Sequence, residues 1–410
     1  MLITKVGLTK IFLLVFIFII YFIFAVPFYS GDVKNHLVWA NSLLIDGTLG
    51  FYDRVFHDYA FPNYPPGAMI LFAVSLKLYY LTNQLVWFLN VVPLFPSQLI
   101  FYFQGENVMI AFLKLPAILA HFGIVLYLYL TFKRLWVSII FLINPSLFYL
   151  SAIWGQIDLL PIMFFLFALY FLPSKIYLST LFIGLALLSK QTVIIYIPIY
   201  LFLIYKNYDW KRIFKSVLLV ISIFYLSYLP FNKDSLIWPF ELYRKNFDLV
   251  AHSVNENAIN LWGFLFNFKR ISDEQLFLIF NYQQWGYLLL VIILLWPTII
   301  FLKSKMTEQK IFDFLLIVTL VYFFVLTRMH ERYLAPAVVF ATILAFKDKK
   351  YWIILISISF IYLLNLYRGL YQPNIAILNT LVDSMIYLKT FVVIYAGIIL
   401  YNIYTFLRIK

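Results

Sequence analysis

The chain has 410 residues, 64% of them hydrophobic and 12% charged, with a formal net charge of +13 and no cysteine. A soluble domain carries about 25% charged residues, so this composition excludes one, and the lack of cysteine excludes a disulfide framework and thiolate chemistry. Apolar runs long enough to cross a bilayer recur along the sequence, and they do not alternate as the strands of a membrane barrel do. The expected fold is all-α and polytopic, a single domain over residues 1–410 with about 11–14 transmembrane helices.

The N-terminal stretch "MLITKVGLTKIFLLVFIFIIYFIFAVPFYS" has basic residues followed by an apolar run longer than a signal-peptide core, and reads as an uncleaved first helix. Helices are expected at about 9–28, 66–82, 85–103, 107–130, 135–151, 157–172, 176–188, 191–205, 213–229, 285–302, 309–327, 333–346, 350–364 and 389–407. Several fall short of the roughly 20 residues of a full span.

Between the first two helices, "YSGDVKNHLVWANSLLIDG" (29–47) places Val33, Leu37, Ala40 and Leu44 at helical spacing, with Trp39 and Leu43 beside them. The spacing predicts an amphipathic helix in the membrane interface that ends at Gly47. Asp32 stands at its start. It reads either as the helix N-cap or as a carboxylate placed for general-base work, and capping would also fix its position. "FPNYPPGAMI" (61–70) has prolines where a loop meets a helix; Tyr64 there faces a site or only stiffens the joint.

Further on, "NPSLFYLSAIWGQIDLLP" (144–161) sets Trp154, Gln156 and Asp158 where two helices meet. Trp154 alone reads as an aromatic-belt residue, and Asp158 as a cap or a site residue. "LLSKQTVIIYIP" (187–198) interrupts an apolar stretch with Lys190 and Gln191. A lysine at that place snorkels to lipid headgroups or holds a phosphate as a point charge. The second long loop, 230–284, contains "NENAINLW" with Asn257, Asn260 and Trp262.

"TRMHERYLAP" (327–336) brings Arg328, His330, Glu331 and Arg332 together between apolar runs. Ionisable groups at membrane depth cost roughly 2.5–3.5 kcal/mol each on insertion scales. Arginine forks and a histidine donor suit a phosphate, with Glu331 orienting or neutralising one of them; a structural salt-bridge cluster is the plainer reading.

With the N-terminus in the cytoplasm, the inner segments carry 17 basic residues against four acidic ones and the outer segments 12 basic against 14 acidic, while Lys77 and Lys114 lie within helices. The positive excess therefore lies on the inner side, as the positive-inside rule requires. The charge is an orientation signal and does not point to nucleic acid. The long loops 29–65 and 230–284 and the polar clusters then fall on the outer, extracytoplasmic face, the pattern of one site there. The histidines are scattered, with no HxxxH or DxD pair, so no metal set is expected. No GxSxG or glycine-rich phosphate loop occurs, and no cofactor is implied. A carboxylate base and several cations at membrane depth suggest transfer of a sugar from a lipid phosphate, with the cations stabilising the departing phosphate.

At these residues the sequence resembles the GT-C class of integral-membrane glycosyltransferases, which use dolichyl- or polyprenyl-phosphate sugars. "SGDVKNHLVWANSLL", "NYPPG", "NPSLFYLSAIWGQID", "SKQ", "NENAINLW" and "TRMHERYLAP" resemble its motifs in order. They are most similar to the group of prokaryotic mannosyltransferase-like proteins and dolichyl-phosphate-glucose-dependent glucosyltransferases. The resemblance implies a GT-C-like bundle and a hexosyltransferase that moves mannose or glucose to a glycan, glycolipid or protein acceptor. It implies an inverting reaction that commonly needs no metal. Asp32 matches the first-loop base, His330 the histidine near the donor phosphate, and Lys190–Gln191 the family's "KQ" pair. Many relatives carry a further acidic residue after the base; Asp46, Asp53 and Asp58 are the candidates here. Two other readings share the same ingredients: a transporter or flippase of a lipid-linked sugar, which would show internal repeats and midplane polar groups, and a lipid-acting polymerase or ligase.

Overall fold

The computed structural model describes residues 7–231, 235, 237–248 and 251–408. Lys5 and Lys410 of the charge count, and residues 232–234, 236, 249 and 250 of the second long loop, lie outside the described residues. The described chain is mainly helical. It begins with α1 (Leu8–Ala25), α2 (Gly31–Asp46), α3 (Pro66–Leu89), α4 (Gln98–Gln104), α5 (Glu106–Leu113) and α6 (Leu115–Phe132). Then come α7 (Leu135–Leu142) and α8 (Pro145–Phe148), the latter running into a π-helical turn, Tyr149–Trp154. Next are α9 (Leu159–Phe171), α10 (Ile176–Ser189), a 3-10 turn (Gln191–Tyr196), α11 (Ile197–Asn207), α12 (Trp210–Tyr228), α13 (Trp238–Asp248) and α14 (Leu261–Phe266). A two-stranded hairpin, Leu276–Phe277 with Phe280–Asn281, precedes α15 (Tyr282–Lys303). The chain closes with α16 (Glu308–Val325), a 3-10 turn (Glu331–Leu334), α17 (Ala335–Lys347), α18 (Tyr351–Leu370), α19 (Ala376–Asp383) and α20 (Met385–Arg408).

Among the described residues six helices are long and apolar enough to cross a membrane alone, or seven if Leu135–Leu142 and Pro145–Trp154 count as one broken span. Shorter apolar helices, Lys10–Ala25, Leu159–Phe171 and Ile176–Ser189, accompany them. The protein is an integral, multi-pass membrane protein.

Two compact units make up the chain. The first holds the described residues up to Ile124, with Phe148–Val193 and Ile204–Pro239. In it α2 packs along α3, and α10 packs against α3, α9 and α12. The second holds Val125–Leu147, Ile194–Leu203 and the described residues from Phe240. Its centre is α16 and α17, with α15, α18 and α20 against them. Every residue of α17 from Ala335 to Ala345 is buried, as expected of a helix that is apolar all round. By contrast α12 and α15 expose large apolar side chains such as Phe214, Leu226, Ile292 and Trp296, which is the surface a lipid tail requires.

The helix expected at 85–103 does not form. Instead α3 runs on to Leu89, because the polar interruption at Thr82–Asn83 bonds back onto its own helix: the Thr82 hydroxyl donates to the Leu78 carbonyl at 2.8 Å and Asn83 Nδ2 to Tyr79 Oη at 3.2 Å. Pro93 and Pro96 then impose a turn, since neither has an N–H to continue a helix. The expected helix 107–130 breaks at Lys114, and 135–151 breaks at Asn144. Asn144 Oδ1 accepts from the Ser146 and Leu147 amides at 3.1 and 3.4 Å and so caps the next helix. The segment 230–284 is no plain loop: it carries α13, α14 and the hairpin.

Candidate active site

The expected residues fall into two clusters, one in each unit. The first starts at the N-terminus of α2. Ser30, not Asp32, is the N-cap: its hydroxyl accepts the Val33 amide at 3.3 Å and donates to the Trp154 carbonyl at 3.2 Å. The capping reading of Asp32 is thereby corrected, because the serine two positions earlier does that work and leaves the carboxylate in the first helical turn. There Asp32 is half-buried, and its Oδ2 accepts the Trp154 indole N–H at 3.0 Å. A helix N-terminus favours a negative charge at this place.

The amphipathic face of α2 is rotated slightly from expectation. Val33, His36, Trp39, Ala40 and Leu43 are buried, while Leu44 is exposed. His36 stacks on Phe72 of α3 with ring centroids 3.9 Å apart, and Trp39 Nε1 donates to the Ala60 carbonyl at 2.8 Å. Gly47, with φ +76, ends the helix as predicted.

Trp154 closes the π-helical turn, and the chain reverses at Gly155, whose φ is +83. A Cβ there would lie 2.5 Å from Lys114 Cγ and 2.9 Å from Val33 Cγ2, so only glycine fits. Just past it, Gln156 Oε1 accepts the Tyr64 hydroxyl at 3.3 Å. The Tyr64 carbonyl in turn accepts the Tyr52 hydroxyl at 2.8 Å, and burial pushes the Tyr52 phenol well up, so it is a neutral donor. Asp158 Oδ1 pairs with Lys190 Nζ at 2.7 Å; both side chains are 3% exposed. The Lys190 ammonium also lies 5.3 Å from the Tyr64 ring centre. Gln191 follows at the start of the 3-10 turn. Three buried polar atoms in this group have no hydrogen-bond partner: Gln156 Nε2, Asp158 Oδ2 and Gln191 Nε2.

Of the alternative acids, Asp46 is 14 positions along α2 from Asp32, about 21 Å at 1.5 Å per residue. Its Oδ2 accepts the Ser42 hydroxyl. Asp53 and Asp58 are exposed.

The second cluster is built on the C-terminal end of α16. Its last carbonyls have no intrahelical donors, and side chains of the 255–262 segment supply them. Trp262 Nε1 donates to the Val325 carbonyl at 2.7 Å, and Asn260 Nδ2 lies 3.3 and 3.4 Å from those of Phe323 and Leu326. Asn260 also caps α14 through the Gly263 amide. Asn257, at φ +65, accepts from Arg368 Nη1 at 3.3 Å. Sequence reasoning did not anticipate the scaffolding part played by Asn260 and Trp262.

Arg328, at φ +61, forms a two-pronged pair with Asp273: Nε to Oδ2 at 2.6 Å and Nη2 to Oδ1 at 3.1 Å. Asp273 is fully buried and also accepts the Thr327 hydroxyl at 2.9 Å. His252 Nδ1 lies 3.2 Å from Arg328 Nη2. His330 is half-buried, forms backbone bridges with Glu256 and Asn257, and sits edge-on to Tyr333. Glu331 pairs with Arg332 at 3.1 Å. The carbonyls of Glu331 and Arg332 are held by Asn365 Nδ2 and the Tyr362 hydroxyl, both at 3.0 Å. Asp273, Asn365 and Lys114 brace these clusters, and the sequence reading assigns a role to none of them. Asp273 and Asn365 meet partners far away in sequence, and Lys114 lies inside an apolar run; no local pattern marks any of them. Among the described residues no three His, Asp or Glu side chains are grouped as a metal ion would require.

Comparison with curated proteins finds no match. The model of glycosyltransferase family 87 matches residues 61–347, a stretch that begins after Asp32 and takes in Tyr64, Trp154, Lys190 and the 327–336 segment. Matched over more than half its length, the chain belongs to glycosyltransferase family 87, a GT-C-type membrane glycosyltransferase family.

Proposed function

We propose that the protein transfers a hexose, mannose or glucose, from a polyprenyl-phosphate-linked donor to a hydroxyl of a glycan, glycolipid or protein, at the extracytoplasmic face and with inversion. The observation that carries the reading is the Asp32 carboxylate, freed from capping by Ser30 and oriented by the Trp154 indole at 3.0 Å. Asp32 takes the proton of the acceptor hydroxyl as its oxygen attacks the anomeric carbon. The bond from that carbon to the phosphate oxygen breaks, and the leaving group is polyprenyl phosphate. Phosphate leaves without a second carboxylate acid, unlike the alcohol in a glycosidase.

Within the second unit the donor phosphate is assigned to Arg332, whose cation offsets its developing charge, with the His330 ring as a further hydrogen-bond donor. Arg328 serves the same end through its pair with Asp273, which fixes the backbone that leads to His330. For the sugar, the open atoms Gln156 Nε2, Gln191 Nε2 and Asp158 Oδ2 offer two donors and one acceptor. Buried polar atoms without partners are costly, and sugar hydroxyls meet that need. The one-sided distribution of basic residues supports a cytoplasmic N-terminus and an outer site.

The test is direct. The purified protein in lipid nanodiscs is incubated with polyprenyl-phosphate mannose, polyprenyl-phosphate glucose and a panel of glycan and glycolipid acceptors. Release of polyprenyl phosphate with a mass gain of one hexose on an acceptor is expected. Turnover of a sugar nucleotide with the lipid donors untouched would overturn the donor assignment.

A further inference from the structure

Lys114 lies in the break between α5 and α6 and is fully buried. Its ammonium donates to the carbonyls of Ala25 (2.8 Å), Ile153 (2.8 Å), Ala152 (3.1 Å) and Phe28. Three N–H groups serve four acceptors, so one is shared. These are chain-end carbonyls: Ala25 is the last residue of α1, and Ala152 and Ile153 lie in the last part of the π-helical turn. Such groups have run out of intrahelical donors. A buried charge without compensation is very costly, and here the carbonyl cage supplies that compensation, with charge-assisted bonds about twice as strong as neutral ones.

The placement matters because of what comes next along each segment. Phe28 is two residues before Ser30 and four before Asp32, and Ile153 directly precedes Trp154. Ser30 and Trp154 are bonded to each other, and Trp154 to Asp32. The Lys114 stem lies flat on Gly155, the one residue there without a Cβ to obstruct it. We propose that Lys114 is a positioning residue for the transfer reaction, clamping the α1–α2 connection to the π-helical turn so that the Trp154 indole meets the Asp32 carboxylate. The proposal rests on the reading of Asp32 as base. Lys114 itself touches no reacting atom.

The test is a double-mutant cycle on kcat with Lys114→Met, Trp154→Phe and the combined variant, using whichever polyprenyl-phosphate hexose the wild type turns over. A displacement of about 1 Å near the chemistry costs up to about a hundredfold, so Lys114→Met is expected to lower kcat by about 10–100-fold, with donor KM little changed. In the Trp154→Phe background the same substitution should have only a small effect, because the bond it positions is already gone. Independent effects multiply to within about twofold; full multiplication, or wild-type kcat in Lys114→Met, overturns the proposal. Should Lys114→Met fail to fold, Lys114→Gln, which keeps two donors, runs the same cycle. Asp32→Asn is assayed alongside. Full activity there defeats the reading of the base, whereas an inactive Asp32→Asn with a fully multiplicative cycle defeats the role of Lys114 alone.

Discussion

Replacing Lys190 by methionine leaves Asp158 as a carboxylate that is 3% exposed and has lost its partner at 2.7 Å. Its other oxygen, Oδ2, has no hydrogen bond to fall back on. At 2.7 Å and an effective dielectric of about 20, the attraction between unit charges is roughly 6 kcal/mol. Desolvation of both groups offsets part of it, and the net loss on removing one partner of a buried pair is about 3–5 kcal/mol. With an unfolding entropy of about 2.1 cal/mol/K per residue, the 410-residue chain should melt about 4–6 °C lower. Thermal unfolding in detergent reads this, followed by tryptophan fluorescence. The double variant Lys190→Met/Asp158→Asn, with no buried charge, should recover most of the loss. Lys190→Met melting at the wild-type temperature, or a double variant no more stable than the single one, would refute the reasoning.

Three further outcomes follow from named contacts. Gly155→Ala forces a Cβ into a left-handed residue and against Lys114 Cγ; backbone strain of about 1–2 kcal/mol and overpacking of about 1–3 kcal/mol should lower the melting temperature, and an unchanged value would contradict the packing described. Asn260→Ala removes the α14 cap at about 1 kcal/mol and uncovers carbonyls at the end of α16, so hydrogen exchange at the Gly263 amide should quicken; unaltered protection counts against that role. On the proposed assignment His330→Ala and Arg332→Ala each remove a donor to the phosphate, and at about 1.5–3 kcal/mol for a bond to a charged group donor binding should weaken about 10–100-fold; equal affinity in a lipid-donor binding assay would remove these residues from the proposed site.

The helical architecture was largely legible because apolar runs at membrane depth leave the backbone no alternative to internal hydrogen bonding. Where the expectation failed, local chemistry had overruled hydropathy. Pro93 and Pro96 stood in plain sight within the run 85–103, and Thr82–Asn83, which looked like a break, folds its side chains back on the helix. The cap of α2 turned on a choice between Ser30 and Asp32, two positions apart. A β-region residue whose oxygen reaches the amide three positions on is the cap, and Ser30 has that geometry.

Polar stretches were correctly recognised as unusual, but the partner of each residue was not readable. Trp262 and Asn260 reach carbonyls more than sixty positions away, and Arg328 meets Asp273 across 55 positions. Lys114 carries no sign of its role in the sequence, since its partners are four backbone carbonyls, which leave no side-chain pattern to find. Asp32 with Trp154 and Lys190 with Asp158 were each named as site residues from separate motifs, and folding brings each pair into direct contact.

Single-turnover transfer by Asp32→Asn, with donor binding measured on the same preparation, tests the central claim most directly. The asparagine keeps the shape of the carboxylate and removes its capacity to take a proton. The account predicts a folded protein that binds the polyprenyl-phosphate hexose with near wild-type affinity and forms no glycosylated acceptor. Transfer at the wild-type rate would contradict it.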